Sequence, residues 1–154
     1  MSKAFTREDN VDQQGDLLPE RAISPHPNLV TAEGLAQIDD AVTRLTDELS
    51  AAKAAGDATT TASTARDLRY WSARRATAEL TELKPGSQVQ FGSHVTIKRL
   101  DGSSKAYRIV GTDEANPKEG TLSYVSPLAQ ALLGKEIGDT VVVGAHEEEI
   151  VAIA

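Results

Sequence analysis

The chain has 154 residues, no cysteine and a formal net charge of −7 at pH 7. This length suits one domain or two small ones, and the lack of cysteine excludes disulfides and thiolate metal sites. Residues 1–30, 31–83 and 84–154 carry net charges of −2, −3 and −2, so no block is basic. Autonomous binding to duplex nucleic acid is therefore disfavoured, because lysine and arginine contacts to phosphates supply most of that affinity.

Residues 1–30 are polar and acidic, and we expect them to form a mobile tail, with packing of residues 21–30 on another part of the chain as the open alternative. They contain no apolar run of the kind found in a secretory signal. No stretch of the chain approaches the roughly 18 apolar residues that a membrane span needs. These features predict a cytoplasmic protein without a membrane partner.

Residues 31–83 are predicted to form an antiparallel helical hairpin. Thr31 is a favourable N-cap for the first helix. Apolar side chains then recur at alternating steps of three and four residues, which is a coiled-coil seam. The seam consists of Leu35, Ile38, Val42, Leu45, Leu49 and Ala52.

The second helix of the hairpin is predicted to begin near Thr64. A break at residues 54–57 precedes a threonine-rich stretch of low helix propensity. Each helix is expected to have about 20–25 residues, or roughly 30–38 Å of length. The second helix carries a looser apolar stripe, with members Ala65, Leu68, Ser72, Ala76, Leu80 and Leu83.

Residues 84–154 are predicted to form five strands and one short helix. The strands are expected within 89–100, 106–111, 121–125, 140–144 and 149–154, with a turn at Asp101 and Gly102. Ser126 is a candidate N-cap for the helix, Pro127 suits its first turn, and Gly134 suits its C-terminal cap. The predicted apolar face of this helix is Leu128, Ala131 and Leu132, and the charged run 146–149 is expected in a solvated turn.

Several phrases of the sequence resemble one protein family. NLVTAEGLAQI begins the hairpin, and FGSHVTIKRLDGS, YRIVGTDEA and SYVSPLAQALLGKEIGDTVVV follow in the β-rich segment. These phrases resemble the bacterial transcription elongation factors GreA and GreB. The resemblance implies an α+β chain: an antiparallel coiled-coil hairpin over 31–83, then an FKBP-like antiparallel sheet wrapped on one short helix over 84–154.

The resemblance implies RNA polymerase as the partner. In that family the C-terminal domain docks at the rim of the polymerase secondary channel, and nucleic acid is met only through the polymerase complex. Acidic residues at the hairpin tip help hold a second Mg²⁺ in the polymerase active site. The factor itself is then not an enzyme, and no catalytic residue, cofactor or metal site is expected in it. The candidate docking residues are Ser126, Pro127, Leu128, Gln130 and Ala131.

The hairpin tip departs from the family pattern Gly-Asp-x-x-Glu. Aligning Gly56 and Asp57 on the pattern puts Thr60 at the glutamate position, and the other possible register puts Ser63 and Arg66 at the two acids. Asp57 is therefore the one tip candidate. Both helices also look shorter than those of the family by about one heptad or more, which is roughly 10 Å of reach. We expect a factor that binds polymerase and regulates elongation without stimulating RNA cleavage.

Four arginines of the second helix form a candidate basic patch: Arg66, Arg69, Arg74 and Arg75. Family hairpins carry a basic patch that faces RNA. The alternative is a solvated helix face whose arginines form salt bridges to acids of the first helix.

Three other functions remain open. An active cleavage factor would use Asp57, alone or with Asp67. A regulator like the Rnk protein would have a similar domain and a short hairpin. A peptidyl-prolyl isomerase is disfavoured, because such enzymes need an aromatic-lined pocket and the only aromatic residues of the C-terminal segment are Phe91, Tyr107 and Tyr124.

Overall fold

The computed structural model describes residues 18–154, which divide into two units. A hairpin unit contains residues 18–25 and Ala36–Thr77, and a sheet unit contains His26–Leu35 and Ala78–Ala154. The predicted divisions at 30/31 and 83/84 do not coincide with these units, because residues 26–35 and 78–83 pack with the sheet. Most of the predicted mobile tail, residues 1–17, lies outside the described residues.

The hairpin unit is built on helices α1 (Ala32–Ala54) and α2 (Ala58–Thr77). Ile38, Leu45 and Ala52 of α1 are buried, and Val42 and Leu49 between them are half-buried. This alternation confirms the predicted seam, since one stripe at heptad spacing is removed from water. Across the described residues, no helix is long and apolar enough to cross a membrane.

Helix α2 differs from the prediction at both ends. It begins at Ala58 rather than near Thr64, so the threonine-rich stretch is helical. It ends at Thr77, so Leu80 and Leu83 lie beyond it and are about half exposed. The predicted stripe is also wrong at Ser72 and Ala76, which are exposed. The buried residues of α2 are polar, Thr64 and Arg74, which is why a search for apolar periodicity missed this face.

The sheet unit holds all five predicted strands. They are β3 (His94–Lys98), β4 (Ser104–Val110), β5 (Thr121–Ser123), β6 (Thr140–Val143) and β7 (His146–Ile153), in the spatial order β5-β4-β3-β7-β6. Three of the four pairings are antiparallel, as expected, but β4 and β5 pair in parallel, so the sheet is mixed. The connection between them, with a 3₁₀ turn at Pro117–Glu119, returns the chain to the same end of the sheet.

The short helix α3 (Pro127–Leu132) packs on this sheet. The Ser126 hydroxyl accepts a hydrogen bond from the amide of Ala129 at 3.3 Å, and Pro127 occupies the first turn, as predicted. Gly134 has a φ of 81°, which confirms a left-handed residue just after the helix. The buried positions are Ala129 and Leu132, both 0% exposed, so the core face lies partly away from the predicted one.

A two-stranded parallel ladder in the sheet unit was not predicted. Strand β1 (Leu29–Val30) pairs with β2 (Glu79–Leu80). The carbonyl of Asn28 accepts from the amide of Glu79 at 2.8 Å, and the carbonyl of Val30 accepts from that of Thr81 at 2.9 Å. Two residues are too few to show a strand period, so this ladder has no local signal in the sequence.

The charged run 146–149 was expected in a turn, but it lies in strand β7. Glu148 faces inward and is only 4% exposed. Its carboxylate accepts a hydrogen bond from Arg99 Nε at 2.5 Å. A strand alternates its side chains between two faces, so the middle glutamate of three is directed differently from its neighbours.

Candidate functional site

The predicted docking residues around α3 have unequal exposure. Pro127 and Gln130 are exposed, whereas Ser126, Leu128 and Ala131 are half-buried. The Ser126 hydroxyl is used as the helix cap, and Gln130 Nε2 donates to the carbonyl of Tyr124 at 2.6 Å. These two polar side chains therefore hold the turn before α3 in shape. The outward surface that remains for a partner is centred on Pro127 and Gln130.

The hairpin tip contains Gly56, in the left-handed region with a φ of 67°, followed by Asp57. The Oδ1 atom of Asp57 accepts from the amide of Thr60 at 3.1 Å, and Oδ2 accepts from the Thr60 hydroxyl at 2.6 Å. These hydrogen bonds, the hydroxyl one first, lower the pKa of Asp57 from its usual value. Asp57 is thus an ionised N-cap of α2, and both its oxygens have a partner within the chain.

The four candidate arginines do not form one surface patch. Arg74 is 2% exposed, so its assignment to a surface patch was wrong. Arg75 Nε lies 2.5 Å from Asp39 Oδ1 of α1, which is the predicted alternative of a salt bridge to the first helix. Arg66 Nε lies 3.6 Å from its neighbour Asp67. Arg69 is half exposed and pairs with a residue before the hairpin, Glu20.

Glu114 forms a contact that the sequence reasoning missed. Its Oε2 atom accepts from the amide of Thr31 at 3.1 Å, and its Oε1 atom accepts from the Thr31 hydroxyl. The same hydroxyl oxygen accepts from the amide of Gly34 at 3.0 Å, so Thr31 is the N-cap of α1, as predicted. A Cβ at Gly34 would lie 1.9 Å from Glu114 Oε2, so any other residue at this position would require the Glu114 carboxylate to move.

Two of the three aromatic residues of the sheet unit lie in its core. Phe91 and Tyr107 are only 8% and 9% exposed. Tyr124 packs edge-to-face on Phe91, with ring centroids 5.6 Å apart, and its hydroxyl donates to the carbonyl of Pro27. These rings are therefore engaged in packing, which further disfavours a prolyl isomerase pocket.

A family model described as "Transcription elongation factor, GreA/GreB, C-term" matches residues 84–154. Residues 84–154 therefore belong to the GreA/GreB C-terminal domain family. The matched segment contains the whole five-stranded sheet and α3. The matched domain thus includes the candidate docking residues around α3.

The chain also aligns with curated GreA proteins. Transcription elongation factor GreA of Methylococcus capsulatus is 45% identical over 80 residues, which cover 49% of this chain and 51% of that protein. GreA of Agrobacterium fabrum is 40% identical over 94 residues, which cover 56% of this chain and 58% of that one. The chain spans about half the length of the curated relatives it matches.

Among solved structures, the chain matches GreA factor homolog 1 (Gfh1) of Thermus thermophilus. It is 20% identical, with a TM-score of 0.42, over 84% of this chain and 99% of that one. A GreA/GreB factor from Nitrosomonas europaea is 17% identical, with a TM-score of 0.42, over 82% and 98% of the two chains.

The tip of the hairpin holds a single carboxylate. Between residues 55 and 66 the only acid is Asp57, and Thr60 stands at the position of the second acid in the register set by Gly56. Within residues 18–154 there is no group of three or more histidine or acidic side chains that could hold a metal ion. Helices α1 and α2 have 23 and 20 residues, or about 35 and 30 Å at helical rise.

Replacing Asp57 by alanine is expected to lower the melting temperature by a few degrees, because the first turn of α2 loses its cap. Asp57→Asn should retain most of the stability, since an amide oxygen still accepts from Thr60. The pKa of Asp57 is lowered in the folded chain, so the ionised cap stabilises the protein above the usual aspartate pKa. This contribution should disappear as the pH falls through the lowered value.

Thermal unfolding of both variants at neutral and acidic pH tests this assignment. Equal melting temperatures for wild type and Asp57→Ala at neutral pH would show that the carboxylate does not support α2.

Proposed function

We propose that this GreA/GreB-family protein is a transcription elongation factor that binds RNA polymerase at the rim of the secondary channel. In this proposal it docks through α3 and regulates elongation in the cytoplasm without stimulating RNA cleavage. The protein is then a regulator of polymerase and not itself an enzyme. The family domain over residues 84–154 supports the partner, and the hairpin tip supports the absence of cleavage stimulation.

The observation that carries the proposal is the state of the tip carboxylate. A second Mg²⁺ in a two-metal site needs oxygen ligands at about 2.0–2.1 Å, and carboxylates are the protein groups that supply them. Both carboxylate oxygens of Asp57 accept hydrogen bonds from Thr60. Thr60 itself could offer a metal ion only a neutral hydroxyl. A tip with one engaged carboxylate supplies too little negative charge to recruit and hold a dication.

Cleavage of RNA in a purified, backtracked elongation complex tests the proposal. The protein alone is expected to leave the RNA at full length. When a bona fide cleavage factor is present, the protein should suppress its cleavage in a concentration-dependent way, because both need the same channel entrance. RNA shortening by this protein alone would overturn the absence of cleavage stimulation, and Asp57→Ala would then show whether the carboxylate is responsible.

A matched pair of variants tests whether competition occurs through α3. Pro127→Asp adds a negative charge to the exposed first turn of α3. An acidic side chain is favourable near a helix N-terminus, so the helix should be retained. Pro117→Asp makes the same change at the exposed first turn of the 3₁₀ helix, which is not among the candidate docking residues. The first variant should weaken competition and the second should leave it unchanged. Equal competition by both variants would contradict docking through α3.

A further inference from the structure

A short segment before the hairpin lies against α2. We call residues 18–21 the strap. The carboxylate of Glu20 accepts three hydrogen bonds from Arg69: Nε lies 2.9 Å from Oε1 and 3.2 Å from Oε2, and Nη2 lies 2.6 Å from Oε1. Both carboxylate oxygens are thus engaged by one guanidinium, the geometry that gives arginine pairs their specificity.

The next strap residue makes the complementary contact. Arg21 Nη1 lies 3.5 Å from Asp67 Oδ1, and its guanidinium carbon lies 4.0 Å from the centroid of the Tyr70 ring. The centroid of the Trp71 ring is 5.8 Å away. An acid followed by a base on the strap therefore meets a base, an acid and an aromatic face on α2.

The strap is held by contacts that are specific but weak. The side chains of Glu20 and Arg69 are 62% and 53% exposed, and exposed ion pairs typically contribute little net stability. Hydrogen bonds from Arg69 lower the pKa of Glu20, so the pair is charged at neutral pH. Salt screens such pairs, and a competing group of the same chemistry can replace either partner.

The pattern of charges on α2 favours one kind of competitor. Helix α2 has four arginines and one aspartate, although the chain as a whole is acidic. The phosphates of a nucleic-acid strand could pair with Arg69. They would be repelled by the carboxylate of Asp67, which in this structure pairs with the guanidinium of Arg21. A protein segment with an acidic residue followed by a basic one reproduces both contacts of the strap.

We propose that residues 18–21 are an autoinhibitory strap, which occupies Arg69 and Tyr70 of α2 until an acidic-basic segment of RNA polymerase displaces it. The proposal rests on the proposed function for its partner. Binding and release of the strap then set the fraction of molecules whose α2 surface is available to polymerase. The apparent affinity for polymerase is then the affinity of the open form multiplied by the fraction of molecules in which the strap is open.

The test compares two double variants of the full chain. Glu20→Gln with Arg21→Gln removes the charges of the strap. Arg44→Gln with Glu48→Gln removes an exposed pair of the same composition on α1, whose atoms lie 3.0 Å apart. Affinity for RNA polymerase free of nucleic acid should increase about two- to five-fold for the strap variant, as expected for opening an exposed ion pair. The α1 variant should bind like wild type.

A second readout needs no partner. Trp71 is the only tryptophan, and the guanidinium carbon of Arg21 lies 5.8 Å from its ring centroid, so we expect its fluorescence to respond to release of the strap. The strap variant should differ from wild type at low salt, and added salt should bring the wild-type signal to that of the variant. A wild-type signal that does not respond to salt would overturn a displaceable strap.

The binding outcomes separate the two proposals. Failure of wild type and strap variant alike to bind polymerase would overturn the proposed function. Equal binding by both would overturn the strap and leave the function standing. A gain seen only when RNA or DNA is present would identify nucleic acid as the competitor and overturn the protein segment proposed here.

Discussion

Replacing Leu132 by alanine is expected to lower the free energy of unfolding by about 2–5 kcal/mol. Leu132 is 0% exposed and belongs to the core that α3 forms with the sheet. Truncation removes its buried methyl groups and leaves a cavity, because close-packed neighbours relax only partly. Equilibrium unfolding in urea measures the change.

A control for this substitution lies in the turn after α3. Ile137 is 61% exposed, so Ile137→Ala should change stability by no more than about 0.5 kcal/mol. Under the proposed docking through α3, Leu132→Ala should also weaken competition at polymerase, since it loosens the helix that carries Pro127. A loss below about 1 kcal/mol for Leu132→Ala would contradict the packing described for α3.

Gly34→Ala is expected to lower the free energy of unfolding by about 1–3 kcal/mol. Helix propensity alone predicts the opposite, a gain in stability. Alanine in a helix is normally favoured over glycine by up to about 1 kcal/mol. Here the new Cβ would meet Glu114 Oε2 at 1.9 Å and force that carboxylate away from Thr31. The amide and hydroxyl of Thr31 would then lose their acceptor while Thr31 stays buried.

A double-mutant cycle isolates the cause. In a Glu114→Ala background the obstruction is gone, so Gly34→Ala should become neutral or stabilising. Thermal or urea unfolding of the four proteins gives the coupling between the two sites. If Gly34→Ala destabilises equally in both backgrounds, the glycine is needed for some reason other than Glu114.

Features with a local cause could be predicted from the sequence. The heptad seam of α1 follows from side-chain spacing, and α3 follows from a serine cap, a proline in its first turn and a glycine after it. The start of α2 also had a local signal, since Asp57 is a good cap. The low helix propensity of the threonines favours a later start, but the cap outweighs it.

Contacts between distant residues could not be predicted in this way. Thr31 and Glu114 are separated by 83 positions, and Glu20 and Arg69 by 49. Neither pair produces a periodic pattern in the sequence, because each contact depends on how the chain folds back on itself. The burial of Arg74 has the same origin, since a charged residue is normally assigned to the surface. The docking residues of α3 and the partner remain proposals that the binding experiments test.

The sheet unit is discontinuous in sequence, since residues 26–35 and 78–154 belong to it and residues 36–77 do not. The hairpin is therefore an insertion in the sequence of the sheet unit, and both of its ends are covalently joined to that unit. Whole heptads can be added to or removed from such an insertion without altering any residue of the sheet. The length of the hairpin and the chemistry of its tip can therefore diverge between family members while the surface around α3 stays the same.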